Sequence, residues 1–141
     1  MKTIVLGLDG VSKDTLAQLV ANENLPNLKK IVNGGCFGTL ESAIPPSTPA
    51  SWSVAFTGKN PAKTGVYGYL KMKPDYSWEM IDADDRKSKD VWQIASEQGK
   101  KCIVMTLPFT FPPRKVNGAM VSYTLTKNVK GITSPKLLED R

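Results

Sequence analysis

At 141 residues, 40% hydrophobic and 23% charged, the chain has the size and composition of one globular domain, not of a disordered or fibrous segment. Its net charge of +6 is almost all lysine, because the only arginines are Arg86, Arg114 and Arg141; pairs scattered like Lys29-Lys30 and Lys100-Lys101 suit solubility and attraction of anionic substrates, and argue against nucleic-acid reading. No apolar stretch reaches membrane-spanning length, Asp9 interrupts the N-terminal apolar run too early for a signal peptide, and the chain has no histidine, the commonest zinc ligand. A soluble cytoplasmic protein is expected.

Thr3 to Leu8, short, apolar and rich in β-branched residues, predicts a buried parallel strand. It ends at Asp9-Gly10. Ligands of open α/β sheets gather beyond the carboxyl ends of strands, where an acid is placed for chemistry; Asp-Gly is equally a common turn pair. Ser12 or Lys13 opens a helix through Val20, and Pro26 opens a second that Gly34-Gly35 terminates. Cys36 to Ser42 reads as a strand. Both cysteines, Cys36 and Cys102, lie in apolar stretches and are expected as buried free thiols, with no spacing that argues for a disulfide.

The stretch from Ile44 to Gly65 organises the rest. Thr48 precedes Pro49 and an apolar run of Trp52, Val54, Ala55 and Phe56 that stops at Gly58. Threonine favours a helix N-cap, proline fits the first turn, and glycine is a fitting stop. Thr48 is therefore placed at a helix start, where free N–H groups and the positive end of the dipole favour an anion. The same pattern describes an ordinary cap that only satisfies backbone donors. Lys59 to Gly65 is turn-rich, and Tyr67 and Tyr69 alternate as strand residues do, for packing.

Lys71 to Lys87 is a polar surface excursion with a short strand. Its acids Asp82, Asp84 and Asp85 lack the glycine and terminal glutamate of a calcium loop and read as a solvated turn. Ser88 is expected to cap a helix that stops at Gly99, and Lys101 to Thr106 follows as a buried strand. Helix, glycine and apolar strand in that order make the class α/β, with a partial, mostly parallel sheet flanked by helices. Pro108, Pro112 and Pro113 forbid regular structure, Met120 to Leu125 is a last strand, and the tail from Ser134 to Arg141 starts a helix. So few strands make the chain read as one domain, 1–141, that is the front part of a longer one.

Leu6-Gly7-Leu8-Asp9-Gly10, Pro46-Ser47-Thr48-Pro49-Ala50-Ser51-Trp52, Thr57-Gly58-Lys59-Asn60-Pro61, Gly65-Val66 and Leu107-Pro108-Phe109-Thr110-Phe111-Pro112-Pro113 stand in order along the chain. In these motifs the chain resembles the type I phosphodiesterase/nucleotide pyrophosphatase group of the alkaline phosphatase superfamily. The resemblance implies the N-terminal part of that fold and phosphoryl transfer at two zinc ions. The residue matching Asp9 ligates one zinc. The residue matching Thr48 is the nucleophile, bound to the same zinc. The other ligands of the group are aspartates and histidines of its C-terminal half, so the 141 residues alone are expected to hold at most Asp9 and Thr48 of the site and to be inactive. Tyr69 stands about where nucleotide-cleaving members have a phosphate-binding asparagine.

The implied substrate is a small-molecule phosphate ester. Alternatives of other kinds are a non-catalytic anion-binding module of the same fold and a phosphomutase or other superfamily hydrolase; a sulfatase would have a modified cysteine or serine where Thr48 stands. A sheet with an open edge also predicts a homo-oligomer paired through that edge.

Overall fold

Helices form where local capping chemistry asks for them. The computed structural model describes residues 2–22, 24–123 and 130–139, and the chain divides into two compact units, Met1–Glu41 and Ser42–Arg141.

In the first unit, helix α1 (Lys13–Ala21) begins where the Ser12 hydroxyl accepts the Thr15 N–H at 3.1 Å. Helix α2 (Pro26–Gly34) has proline at its first position, packs against α1, and ends at Gly35. The strands expected at Thr3–Leu8 and Cys36–Ser42 are absent: both segments are irregular and join no ladder among the described residues. A strand exists through its neighbour's hydrogen bonds, and apolar content alone does not supply them. Ile4 is 93% exposed and Leu6 78%. Cys36 is likewise exposed, not buried.

Among its described residues the second unit holds three further α-helices and two small sheets. Helix α3 (Thr48–Thr57) ends on Gly58, whose φ of +65° suits glycine and whose N–H reaches the Val54 carbonyl at 2.8 Å. The segment expected as turns contains a short helix, α4 (Pro61–Thr64), because the Asn60 side chain accepts the Lys63 N–H. The polar excursion is a hairpin in which β1 (Leu70–Met72) pairs antiparallel with β2 (Trp78–Met80); Tyr67 and Tyr69 precede the strand instead of lying in it. Asp82, Asp84 and Asp85 fold into a 3-10 turn (Ala83–Asp85) in which the Asp82 carboxylate accepts from Asp84 N–H and the Asp85 carboxylate from Asp82 N–H. The acids are turn-makers.

Helix α5 (Val91–Glu97) is capped by Asp90, not Ser88, in a reciprocal box with Gln93. Ser88 instead donates to the Lys63 carbonyl. Strand β3 (Cys102–Leu107) runs parallel to β4 (Gly118–Ser122), which pairs antiparallel with β5 (Thr133–Ser134). Among the described residues one of the three strand pairings is parallel, so the class is α/β with one small antiparallel sheet and one small mixed sheet. A 3-10 turn (Lys136–Leu138) replaces the expected tail helix, while the predicted strand residues Thr124 and Leu125 and the tail residues Asp140 and Arg141 lie outside the described residues.

Phe56 of α3, Trp92 of α5, Val104 of β3 and Met120 of β4 form the core, so both helices cover the same face of the parallel pair. The Phe56 and Trp92 rings meet edge to face at 4.8 Å. The other face of β3 is open: Ile103 is 77% exposed and Met105 62%.

A buried ion pair joins the layers. The Arg86 guanidinium forks onto the Asp90 carboxylate, Nε to Oδ1 at 2.7 Å and Nη2 to Oδ2 at 2.8 Å, with both side chains 1% exposed. Its remaining Nη1 donates to the Phe109 carbonyl at 3.0 Å. Asp90→Ala strands the guanidinium inside the protein and is expected to cost about 3–5 kcal/mol, measured by urea denaturation. At Gly118, where φ is +148°, an added Cβ would stand 2.0 Å from the Cys102 carbonyl oxygen. Gly118→Ala is therefore expected to separate β3 from β4 and cost about 2 kcal/mol or more; an unchanged melting midpoint would contradict this.

Candidate functional site

Thr48 is the first residue of α3, and the residue preceding it does the capping in position only. Ser47 has the extended backbone of an N-cap, and its carbonyl accepts the Ser51 N–H at 2.8 Å. Its side chain makes no capping bond, because the hydroxyl donates instead to the Tyr67 carbonyl at 3.0 Å. The expected role of Thr48 as N-cap is thereby corrected: Thr48 is one residue inside, and no hydroxyl closes this helix end. Pro49 has no N–H to satisfy. Among the described residues, neither the Thr48 hydroxyl nor the N–H groups of Thr48 and Ala50 make a hydrogen bond. The half-buried Thr48 thus lies at the positive end of a ten-residue helix whose first N–H donors are unfilled.

The Tyr67 backbone lies beside this helix start. Tyr67, tied to Ser47, leads into Tyr69, whose ring lies 5.6 Å from that of Phe109. The Tyr69 carbonyl accepts the Ile81 N–H at 3.0 Å, which closes the hairpin behind it. Phe109 sits at φ +57°, in the left-handed region that a bulky residue rarely adopts. It is held by Arg86 at its carbonyl and by the loop that follows: the buried Thr110 hydroxyl donates to the Leu107 carbonyl at 2.6 Å and accepts the Tyr123 N–H at 3.0 Å. Thr106, at φ +50°, is skipped in the pairing of β3 with β4. The carboxyl end of β3 therefore turns sharply, as strand ends near ligand sites do.

Asp9 belongs to the first unit, Thr48 to the second, and each is placed within its own. Asp9 is exposed in a turn with Gly10, whose φ is +70°. Its carboxylate makes no hydrogen bond or ion pair among the described residues, so the oxygen donors of both expected ligands stand unused. They do not amount to a metal centre: among the described residues no group of three or more histidine, cysteine, aspartate or glutamate side chains is placed to hold an ion, and zinc asks for about four ligands.

Sequence reasoning missed Arg86, Asp90 and Phe109. The first two carried only a faint signal, an Arg and an Asp four residues apart, because that spacing pairs side chains on a helix and the segment between them is not helical. The Phe109 backbone had none.

A family model described as type I phosphodiesterase/nucleotide pyrophosphatase matches residues 3–140. No curated protein and no solved structure matches the chain significantly. No helix among the described residues is long and apolar enough to cross a membrane.

Lys71, on the hairpin, bonds Asp85. Partial burial pushes the Asp85 carboxyl up, but the hydrogen bonds from Lys71 and from the Asp82 N–H, with the Lys71 charge, outweigh it and hold the group below the usual carboxylate range. A carboxyl depressed in the folded state adds stability above its unfolded value of roughly 4, and loses it as pH falls through the folded value. The pair is partly exposed, so Asp85→Asn is expected to cost less than about 1 kcal/mol at pH 7. That difference should vanish between pH 4 and pH 2 in urea titrations; a pH-independent gap would refute the assignment.

Proposed function

This chain belongs to the type I phosphodiesterase/nucleotide pyrophosphatase family, and from that premise we propose that it carries the nucleophile-bearing part of a metal-dependent phosphoester hydrolase, with Thr48 as the nucleophile. The observation that supports this reading is the uncapped start of α3, where among the described residues both the Thr48 hydroxyl and the N–H groups of Thr48 and Ala50 are without hydrogen-bond partners. A hydroxyl there can approach phosphorus while backbone donors hold the phosphoryl oxygens. The oxygen would add to phosphorus, release the ester alcohol, and leave a phosphothreonine for water to cleave.

Asp9 and Thr48 are the residues of this chain that would hold a metal, and zinc is the ion the resemblance implies. When bound, such an ion supplies charge that favours the alkoxide and the departing oxygen. The rest of the ligand set is absent among the described residues, so hydrolysis is proposed to need ligands from outside them. The substrate is a small-molecule phosphate ester. A cytoplasmic site of action and pairing of copies through an open sheet edge remain part of the proposal.

A second reading is an anion-binding module without catalysis, in which the open start of α3 holds an anion and needs no metal. Hydrolysis of bis(p-nitrophenyl) phosphate by the full-length gene product with added zinc separates the two. Thr48→Ala is expected to lower kcat on the order of 10³-fold or more, because loss of a nucleophile removes the covalent route. Equal turnover with and without Thr48 would overturn the nucleophile. No turnover at all, with phosphate bound equally well in zinc and in chelator, would establish the module.

A further inference from the structure

The hairpin of the second unit has its apolar side turned outward. Opposite residues on antiparallel strands share a face, and alternate residues along each strand point to opposite faces. The pairing of Leu70 with Met80, Lys71 with Glu79 and Met72 with Trp78 therefore places Leu70, Met72, Trp78 and Met80 on one face. Tyr69, Lys71, Glu79 and Ile81 lie on the other, since the Ile81 N–H reaches the Tyr69 carbonyl in the same register. This second face is the one turned to the body of the unit: Ile81 is buried, the Tyr69 ring lies 5.6 Å from that of Phe109, and Lys71 bonds Asp85. Charges thus face inward and apolar side chains outward, the reverse of the usual antiparallel pattern.

Area and charge decide what covers the outward face. Trp78 is 65% exposed, and Leu70, Met72 and Met80 are each at least half exposed. At about 200 Å² for a large side chain, the four leave roughly 450 Å² of adjoining apolar surface, a size that marks interaction sites. Two such faces stacked together would bury roughly 900 Å², the area of a weak, reversible dimer. Around the face, Lys71 and Lys73 are outnumbered by Asp75, Glu79, Asp82, Asp84 and Asp85. That excess of acid repels anionic lipid and nucleic acid and leaves a protein as partner. The two lysines both pair with Glu79, at 3.6 Å, on the inward side. Identical outward faces therefore meet without setting like charges opposite one another.

We propose that the outward face of the hairpin is a self-association surface, on which a second copy of this chain stacks face to face with Trp78 as its main anchor. A twofold axis brings a patch against its own copy, so the matching apolar face is one the structure itself supplies. Hydrogen bonds at Tyr69–Ile81 and Lys73–Ser77 put Leu70–Met80 and Met72–Trp78 at the closely spaced positions of the ladder, which makes their side chains one continuous surface. The contact is made by side chains of a face and leaves the free edge of β3 uninvolved. It also stands apart from the reading of Thr48, because neither Thr48 nor Asp9 lies on this face.

Sedimentation velocity of the whole chain tests it. A monomer–dimer equilibrium is expected, with a Kd on the order of 10⁻⁵ to 10⁻⁴ M, since the area is at the small end of specific interfaces. Acrylamide quenching of the unaltered protein reads the same contact, because Trp92 is buried, Trp52 half-buried and Trp78 exposed. The strongly quenched part of the emission should shrink as concentration rises through the Kd. Trp78→Ser and Met72→Ser should each weaken the dimer at least about tenfold, with circular dichroism showing each variant folded. Glu79→Gln, on the inward face, should leave the Kd within about twofold. A chain that stays monomeric well above that Kd overturns the proposal, as does quenching that ignores concentration. So does a dimer that survives both serine variants, which would move the contact to the free edge of β3. Binding to phosphatidylcholine vesicles by a chain that stays monomeric would also overturn it, and would make the occupant a lipid surface.

Discussion

The second unit depends on one buried charge. Arg86 cannot be neutralised inside a protein, so its position demands partners for every face of the guanidinium. Asp90 meets two of its donors and the Phe109 carbonyl a third. Asp90 is also the N-cap residue of α5, so the residue that holds Arg86 stands where that helix begins, two residues before Trp92 enters the core. The contact with Phe109 fixes the loop after β3, which in turn presents a ring to Tyr69. Helix start and strand-end loop are thus tied by a single fork of hydrogen bonds. Hydrophobic side chains of similar volume can match such a pair in stability, but they would not set a direction for the Phe109 carbonyl.

That dependence explains which parts of the fold were legible in the sequence. Helices α1, α2 and α3 are written in residues that act on their own neighbours: Ser12 before α1, Pro26 at the head of α2, Gly58 at the end of α3. Each holds within a residue of its expected place. Asp90 displaced Ser88 as a cap because a carboxylate already held by Arg86 is fixed in position, while the serine hydroxyl finds the Lys63 carbonyl. Strands were harder to read because their stability lies in residues remote in sequence. Thr3–Leu8 has the composition of a buried strand and lacks a ladder; Gly118 and Thr133, unremarkable in sequence, gain theirs from β3 and β4.

The candidate site shows the same division. The Thr-Pro pair and Gly58 marked α3 and placed Thr48 near its start, since capping preferences are local. What the local pattern could not contain was the destination of the Ser47 hydroxyl, set by Tyr67 twenty residues later. Had Ser47 turned back to the helix, Thr48 would sit beside a satisfied end with little pull on an anion. The hydrogen bond to Tyr67 leaves that end open, and a residue outside the motif thereby decides what the motif is able to do.

The magnitude of that pull also says what Thr48 needs. A helix end favours a negative charge by 0.3–1 kcal/mol, and up to about 2 where partly buried. At 1.36 kcal/mol per pKa unit, this lowers a hydroxyl by roughly 1.5 units at most. An alcohol ionises far above neutral pH, so most of the gap to neutrality is left over. Nearby carboxylates would widen it, and no histidine exists in the chain to serve as base. Helix α3 by itself can therefore hold an anion but not create an alkoxide. A cation at the oxygen would separate a threonine that attacks phosphorus from one that only binds phosphate.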